Sequence, residues 1–283
     1  MVNKSISVVI PSSRDSKTVL RSVQSVLNQT LSPNEIIVIR NSLEVLDPHV
    51  LALFKKSGIV HIDIGKPIGV SSARNIGIQH AKSEYVAFLD DDDVWMKDKL
   101  EIQIDFITRE GLKACTTSYY LEFRGKKRVF PEQTPISVFR DMALRCHCGP
   151  GSTLVISKQL ISSLGLFKSE LGRYEDWYLM AQVTAGKHNY KHLDVITAVV
   201  NKTEASWASN SMELINLANL VQEFEITTRK DLTNGIIFER AVNKKRNGSY
   251  FFALYSLIEW IVKRPSNLCY LTKRIWFKVN YYF

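Results

Sequence analysis

The chain predicts an α/β fold, a parallel sheet with helices on both faces, followed by a helical extension at the C-terminus. Three observations predict it. Four apolar runs of strand length alternate with three stretches whose apolar residues recur at helical spacing, and such alternation builds parallel sheets. The 283 residues are 45% hydrophobic, which suits one large domain with a sizeable core plus an appendage. Near the C-terminus the composition turns basic and aromatic, which sets that region apart.

The elements follow in order. Residues 6–10 (Ile-Ser-Val-Val-Ile) read as a short buried strand that breaks at Pro11-Ser12-Ser13, and residues 17–28 as a helix with Val19, Leu20, Val23, Val26 and Leu27 on one face. Residues 35–39 form the second strand, ending at Arg40-Asn41-Ser42. Residues 46–56 are helical, 60–64 a third strand and 71–81 a third helix. The fourth strand, 85–89, delivers four consecutive aspartates, Asp90, Asp91, Asp92 and Asp93.

In open α/β sheets, ligands bind outside the carboxyl ends of the strands. The segments 11–15, 40–42 and 90–93 converge on that rim, which makes Pro11, Ser13, Asn41, Asp90 and Asp91 candidate nucleotide contacts. Neither a Gly-x-Gly-x-x-Gly turn nor a Gly-Lys-Ser/Thr loop is present. Phosphate charge must therefore be met by a metal on the aspartates and by basic side chains.

Adjacent carboxylates repel one another, and a strand leaving a core tolerates them when a cation compensates. Hard carboxylate oxygens favour Mg²⁺ or Mn²⁺ over zinc. An EF-hand beginning at Asp90 is excluded, because Val94 and Trp95 would stand where a ligand and the sharp-turn glycine belong. A haloacid-dehalogenase-like phosphatase also matches an apolar strand followed by Asp-x-Asp-x-Val.

The four cysteines (Cys115, Cys146, Cys148, Cys269) form no regular framework, and the residues after Met1 lack the apolar segment of a signal peptide. A cytoplasmic location is expected. Cys146-His147-Cys148 has no second Cys or His pair at zinc spacing. From Arg240 onward nine Lys or Arg face one acid, Glu259, so this tail carries +8 of the chain's +9. Basic residues confined to a tail argue against a nucleic-acid-binding protein. Interleaved with Tyr250, Trp260, Trp276 and Phe277, they suit peripheral contact with an anionic membrane, or aromatics that pack on the main domain.

The residues then resemble a family. Ser-Val-Val-Ile-Pro at 7–11, Ser-Val-Leu-Asn-Gln-Thr at 25–30, Glu-Ile-Ile-Val at 35–38, Gly69, Ser-Ala-Arg-Asn at 72–75 with Gly77, and Phe-Leu-Asp-Asp-Asp-Asp-x-Trp at 88–95 are similar in order and spacing to a family 2 glycosyltransferase with the GT-A fold. Gly-Ser-Thr at 151–153, Leu-Gly-Leu-Phe at 164–167 and Glu-Asp-Trp at 175–177 extend the likeness to about residue 210. It implies a catalytic domain over 1–210, with a nucleotide-sugar half (1–100) and an acceptor half (101–210), and a basic helical region over 211–283.

The resemblance implies an inverting, metal-dependent transfer of a sugar from a nucleoside diphosphate sugar, UDP-linked in the usual case, to a hydroxyl of a saccharide acceptor. The acceptor would be lipid-linked and the setting O-antigen or capsule assembly at the inner face of the cell membrane. Asp92 would be the direct metal ligand, with Asp90 and Asp91 near the metal or the ribose. Asp176 would be the base, with Glu175 as the alternative, and Arg74 would contact the base or phosphates. Three departures stand out. Arg40-Asn41-Ser42-Leu43 replaces the usual Asp-Asp-Gly-Ser, Ser13-Arg14 replaces Tyr-Asn, and no histidine accompanies Lys202-Thr203-Glu204. Arg40 also keeps in view a catalytically degenerate GT-A scaffold.

Overall fold

The computed structural model describes residues 4–130, 151–202, 211–246 and 250–263. These fall into two compact units, the first comprising 4–130 and 151–202 and the second 211–246 and 250–263. Cys146-His147-Cys148 and the tail beyond residue 263 lie outside the described residues.

The first unit opens with β1 (Ile6–Ser12), α1 (Ser16–Leu27), β2 (Glu35–Arg40), α2 (Pro48–Lys56), β3 (Val60–Asp63), α3 (Val70–His80) and β4 (Tyr85–Phe88). The four strands are parallel and ordered β3-β2-β1-β4, as alternating strands and helices predict. Asp15 caps α1 by accepting the Thr18 N–H at 3.0 Å and the Thr18 hydroxyl at 2.7 Å. Asp47 and Pro48 start α2 in the same manner. Val19, Val23 and Val26 of α1 are buried against Val8 and Ile10 of β1 in one apolar core. Each such aliphatic side chain contributes roughly 1.5–3 kcal/mol.

Pro11 does not end β1; it pairs with Ile39 inside the strand. The Val9 carbonyl accepts from Leu89 N–H, while the Ser12 carbonyl accepts from Asn41 N–H. Odd-numbered residues of β1 thus face β4, and β4 has ended at Phe88, opposite Val9. Pro11 lies two residues beyond Val9, the last β1 residue in register with β4, an end-of-ladder position that tolerates proline. Gly77 lets α3 approach β1 closely, since a Cβ there would lie 2.3 Å from Val9 Cγ1.

The sheet then departs from a purely parallel plan. After β5 (Val94–Trp95), α4 (Lys99–Glu110), β6 (Ala114–Phe123) and β7 (Lys126–Phe130) come β8 (Val155–Ser157), α5 (Lys158–Ser163), α6 (Glu175–Ala185) and β9 (Tyr190–Asn201). The full order is β3-β2-β1-β4-β8-β6-β9-β5, with β7 beside β6. β8 runs antiparallel to β4, so the turn before β8 lies at the carboxyl end of β4. β9 runs parallel to β6 and antiparallel to β5, which carries Asn201 to the aspartates.

The second unit consists of α7 (Ser211–Leu220), a 3₁₀ turn at Val221–Glu223, α8 (Ile226–Arg246) and α9 (Tyr250–Lys263). Trp260 is wholly buried, its ring 4.9 Å from that of Phe238, and it packs with Ile237, Leu257 and Ile261. Tyr255, Ile258 and Val262 form an exposed apolar stripe on α9. Among the described residues no helix is long and apolar enough to cross a membrane.

Candidate active site

The sheet order reverses between β1 and β4, the strands from which successive parallel connections run in opposite directions, and the carboxyl ends of such a pair form the ligand crevice. The loop after β1 and the aspartates after β4 meet there. Asp91 Oδ2 accepts the main-chain N–H groups of Ser13 at 2.5 Å and Arg14 at 2.7 Å. Burial pushes the Asp91 carboxyl up to about 6, against the pull of those N–H donors.

The four aspartates divide into two facing inward and two facing out. Asp91 and Asp93 are buried, whereas the side chains of Asp90 and Asp92 keep 30% and 24% exposure. Asp93 leads directly into β5. Its carboxylate accepts the Ser152 hydroxyl at 2.5 Å and the Asn201 N–H at 2.9 Å. Burial, then Asp90 and Asp92, hold its carboxyl well above the usual range. Asp92 is raised too, by burial first and by Asp90 second. Its carbonyl accepts from Arg21 Nη2 and Asn201 Nδ2, and its Oδ2 lies 3.0 Å from Arg14 Nη2.

Ser152 ties the cluster together. Its hydroxyl accepts the Asp90 N–H at 3.1 Å and donates to Asp93, while its carbonyl accepts the Trp95 indole N–H at 2.8 Å. Beneath it Gln103 Nε2 donates to the Thr153 carbonyl at 3.0 Å. Lys99 stands over the Trp95 ring at 4.3 Å and donates to Gln103, with burial bringing its ammonium down to about 7. The Gly-Ser-Thr motif is therefore a brace for the aspartate loop. Gly151 has its own reason, because a Cβ there would come within 2.6 Å of Arg74 Nη2.

Arg74 joins the aspartates to the Glu-Asp pair. Its guanidinium donates to Asp90 Oδ1 and to Glu175 Oε1, each at 2.6 Å, and it is buried with 1% exposure. Burial alone would lower its basicity, but Asp90 and then Glu175 more than offset this, so it stays charged. The same helix, α3, pins the segment leading into α6. Asn75 donates to the Phe167 carbonyl and accepts its N–H, and Ser71 donates to the Leu171 carbonyl. Tyr174, just before α6, sits in the left-handed region at φ 66°, a strained conformation for a large side chain.

Asp176 lies beside Glu175 at the start of α6 and accepts the Trp177 N–H at 2.7 Å. Burial and the neighbouring Glu175 push its carboxyl up to about 7, while Arg74 pulls the other way. A carboxylate poised near neutral pH can accept a proton from a hydroxyl and release it to water.

Among the expected site residues, Asp90, Asp91 and Asp92 stand together, and Arg74 links Asp90 to Glu175, the neighbour of Asp176. Ser13 reaches the cluster through its N–H, and Asn41 bonds to the Ser12 carbonyl beside it. Pro11 lies within β1 just ahead of this rim. Arg40 does not face a ligand. It is buried and donates to the carbonyls of Glu44 and Arg14 and to the Ser12 hydroxyl, thereby bracing the first loop. Ser152, Asn201 and Arg21 are further partners of the aspartates, beyond the residues the sequence singles out. The Gly-Ser-Thr motif marks the first, while nothing in the sequence marks the other two.

The model of the family described as glycosyl transferase family 2 matches residues 7–157. The chain belongs to this family. Its fold is GT-A: Staphylococcus aureus TarS 1–349 superposes with a TM-score of 0.65 at 17% identity, covering 91% of this chain and 81% of that one. An uncharacterised glycosyltransferase of Rickettsia felis is 34% identical over 95% of this chain and 46% of its own length, so this chain spans less than half of that relative. WfgD of Escherichia coli, named a UDP-Glc:alpha-D-GlcNAc-diphosphoundecaprenol beta-1,3-glucosyltransferase, is 26% identical over 63% of this chain and 69% of that protein. Membership in this family replaces the phosphatase alternative.

Proposed function

We propose that the protein transfers a sugar, with inversion, from a UDP-linked donor to a hydroxyl of a lipid-linked saccharide in surface-polysaccharide assembly. The observation that carries this reading is the Arg74 bridge, which joins the outward-facing Asp90 at the crevice to Glu175, next to Asp176, whose carboxyl burial and Glu175 push up to about 7. Asp176 would take the proton from the acceptor hydroxyl as its oxygen attacks the anomeric carbon. The bond to the diphosphate breaks as the new one forms on the opposite face, so an α-linked donor gives a β-linked product. A positioned base of this kind contributes about 10²- to 10⁴-fold in rate.

Asp90 and Asp92 suit a divalent cation, being paired, partly exposed hard oxygen donors. Among the described residues no group of three or more His, Cys, Asp or Glu is arranged for an ion. The diphosphate and water would complete the coordination. A cation held there would stabilise the charge developing on the departing diphosphate. The UDP donor and lipid-diphosphate acceptor are supported by the name of WfgD, and the donor also by TarS 1–349, solved with UDP-GlcNAc at a TM-score of 0.63 and 16% identity.

We place the protein at the inner face of the cell membrane, as a peripheral partner. The exposed stripe Tyr255, Ile258 and Val262 and the basic sequence from Arg240 onward support this. Co-sedimentation with anionic vesicles and not with zwitterionic ones is the expected result, and equal partitioning counts against it. The test of the activity is a panel of UDP-sugars with Mn²⁺, read by thermal stabilisation and by product formation. A ligand that binds only the native state raises its melting temperature. Stabilisation by at least one donor, lost in Asp92→Ala, is expected. Stabilisation by none would remove the reading. Donor binding without any transfer to lipid-linked saccharides would favour the scaffold alternative.

A further inference from the structure

Arg14 stands at the rim of the crevice on a backbone fixed from both directions. Its N–H donates to Asp91 Oδ2 at 2.7 Å, and its carbonyl accepts from Arg40 Nη1 at 2.6 Å. Arg40 is itself buried and also bonded to Ser12 and Glu44. The side chain projects from this rigid base with 45% exposure, and its guanidinium pairs with Asp92 Oδ2 at 3.0 Å. A loop clamped this way delivers a mobile cation to a constant place, the mouth between β1 and β4.

We propose that Arg14 is a diphosphate-binding residue that shares Asp92 with the divalent cation, pairing with the carboxylate until a donor arrives and then moving to the donor's diphosphate. This rests on the reading of the crevice as a nucleoside diphosphate site. A guanidinium on Asp92 Oδ2 repels a divalent ion approaching the same oxygen. The Arg14–Asp92 pair is partly exposed, and such pairs are weak and easily exchanged. A diphosphate offers several charged oxygens and matches the planar fork of arginine better than one carboxylate oxygen does. Once the guanidinium leaves, Asp92 is open to the ion. Nucleotide and cation therefore bind with positive coupling, and the coupling is the same in either order of addition. Lys202, whose charge also acts on Asp92, Asp93 and Asp176, supplies a second positive field on the same carboxylates.

The experiment is calorimetric titration of UDP alone, Mn²⁺ alone, and each in the presence of the other, on the wild type and Arg14→Met. Thermal unfolding checks that the variant is folded, and Arg14→Lys retains a point charge for comparison. Metal-free UDP affinity should fall about tenfold in Arg14→Met, the usual scale for losing one charge-assisted bond to phosphate. It should fall less in Arg14→Lys. Affinity for Mn²⁺ alone should rise in Arg14→Met, and the factor by which UDP improves Mn²⁺ binding should shrink. Equal metal-free UDP affinity in wild type and Arg14→Met, including none in either, overturns the proposal, as does an unchanged affinity for Mn²⁺ alone. A wild type that binds no UDP even with Mn²⁺ removes the nucleoside diphosphate reading itself.

Discussion

The two ends of this site are held by different kinds of bond. At the proposed donor end, Asp91 and Asp93 turn inward and are gripped by neutral donors, the N–H groups of Ser13, Arg14 and Asn201 and the Ser152 hydroxyl. That leaves Asp90 and Asp92 facing out. At the proposed base end, Glu175 has a short ion pair to a single buried guanidinium, next to a strained Tyr174. Several neutral bonds tolerate the loss of one, whereas a buried charge without its partner is costly. The donor end is accordingly a rigid frame, and the base end hangs on Arg74.

Arg74→Met should break that asymmetry with the largest effect. It leaves the Glu175 carboxylate buried and uncompensated, and a loss of about 3 kcal/mol or more is expected in urea denaturation. A loss below about 1 kcal/mol would mean that Glu175 finds other partners. The pH dependence of donor turnover sharpens the contrast further. Asp176 has a folded-state value of about 7, so its basic form fills as pH rises through 7. Turnover should fall roughly tenfold per unit below that point and level off about one unit above it. Because Arg74 pulls the Asp176 value down, Arg74→Met should move this limb to higher pH. A limb near pH 4 would assign the proton transfer elsewhere.

Ser152→Ala is the matching cut at the donor end. It removes one partner each from the Asp90 N–H and from the Asp93 carboxylate, while the Asn201 N–H remains on Asp93. The expected cost is about 1–3 kcal/mol in the same denaturation assay, smaller than for Arg74→Met. The reverse order would show that the frame, and not the guanidinium, carries the site.

Much of the donor half was legible because pattern and fold coincide there. Strand and helix periodicities between residues 6 and 88 gave four parallel strands and three helices with ends shifted by a residue or two, and strand β4 placed the aspartates at the rim. The second half was less legible. The antiparallel insertion of β8 and the pairing of β5 with β9 are long-range events with no local signal in Val-Ile-Ser or Val-Trp. Side-chain direction was also hidden. Arg40 reads as a rim cation by position, yet it turns inward because the carbonyls of Arg14 and Glu44 need donors. Asp93 reads as one more acid, yet Ser152 and Asn201, far along the chain, make it a buried brace.

Single-turnover transfer, with Mn²⁺ at pH 8, from whichever UDP-sugar stabilises the protein, comparing wild type with Asp176→Asn, tests the central claim most directly. The folded variant is predicted to bind donor as the wild type does and to lose about 10²-fold or more in rate. A variant that retains its rate would contradict the account.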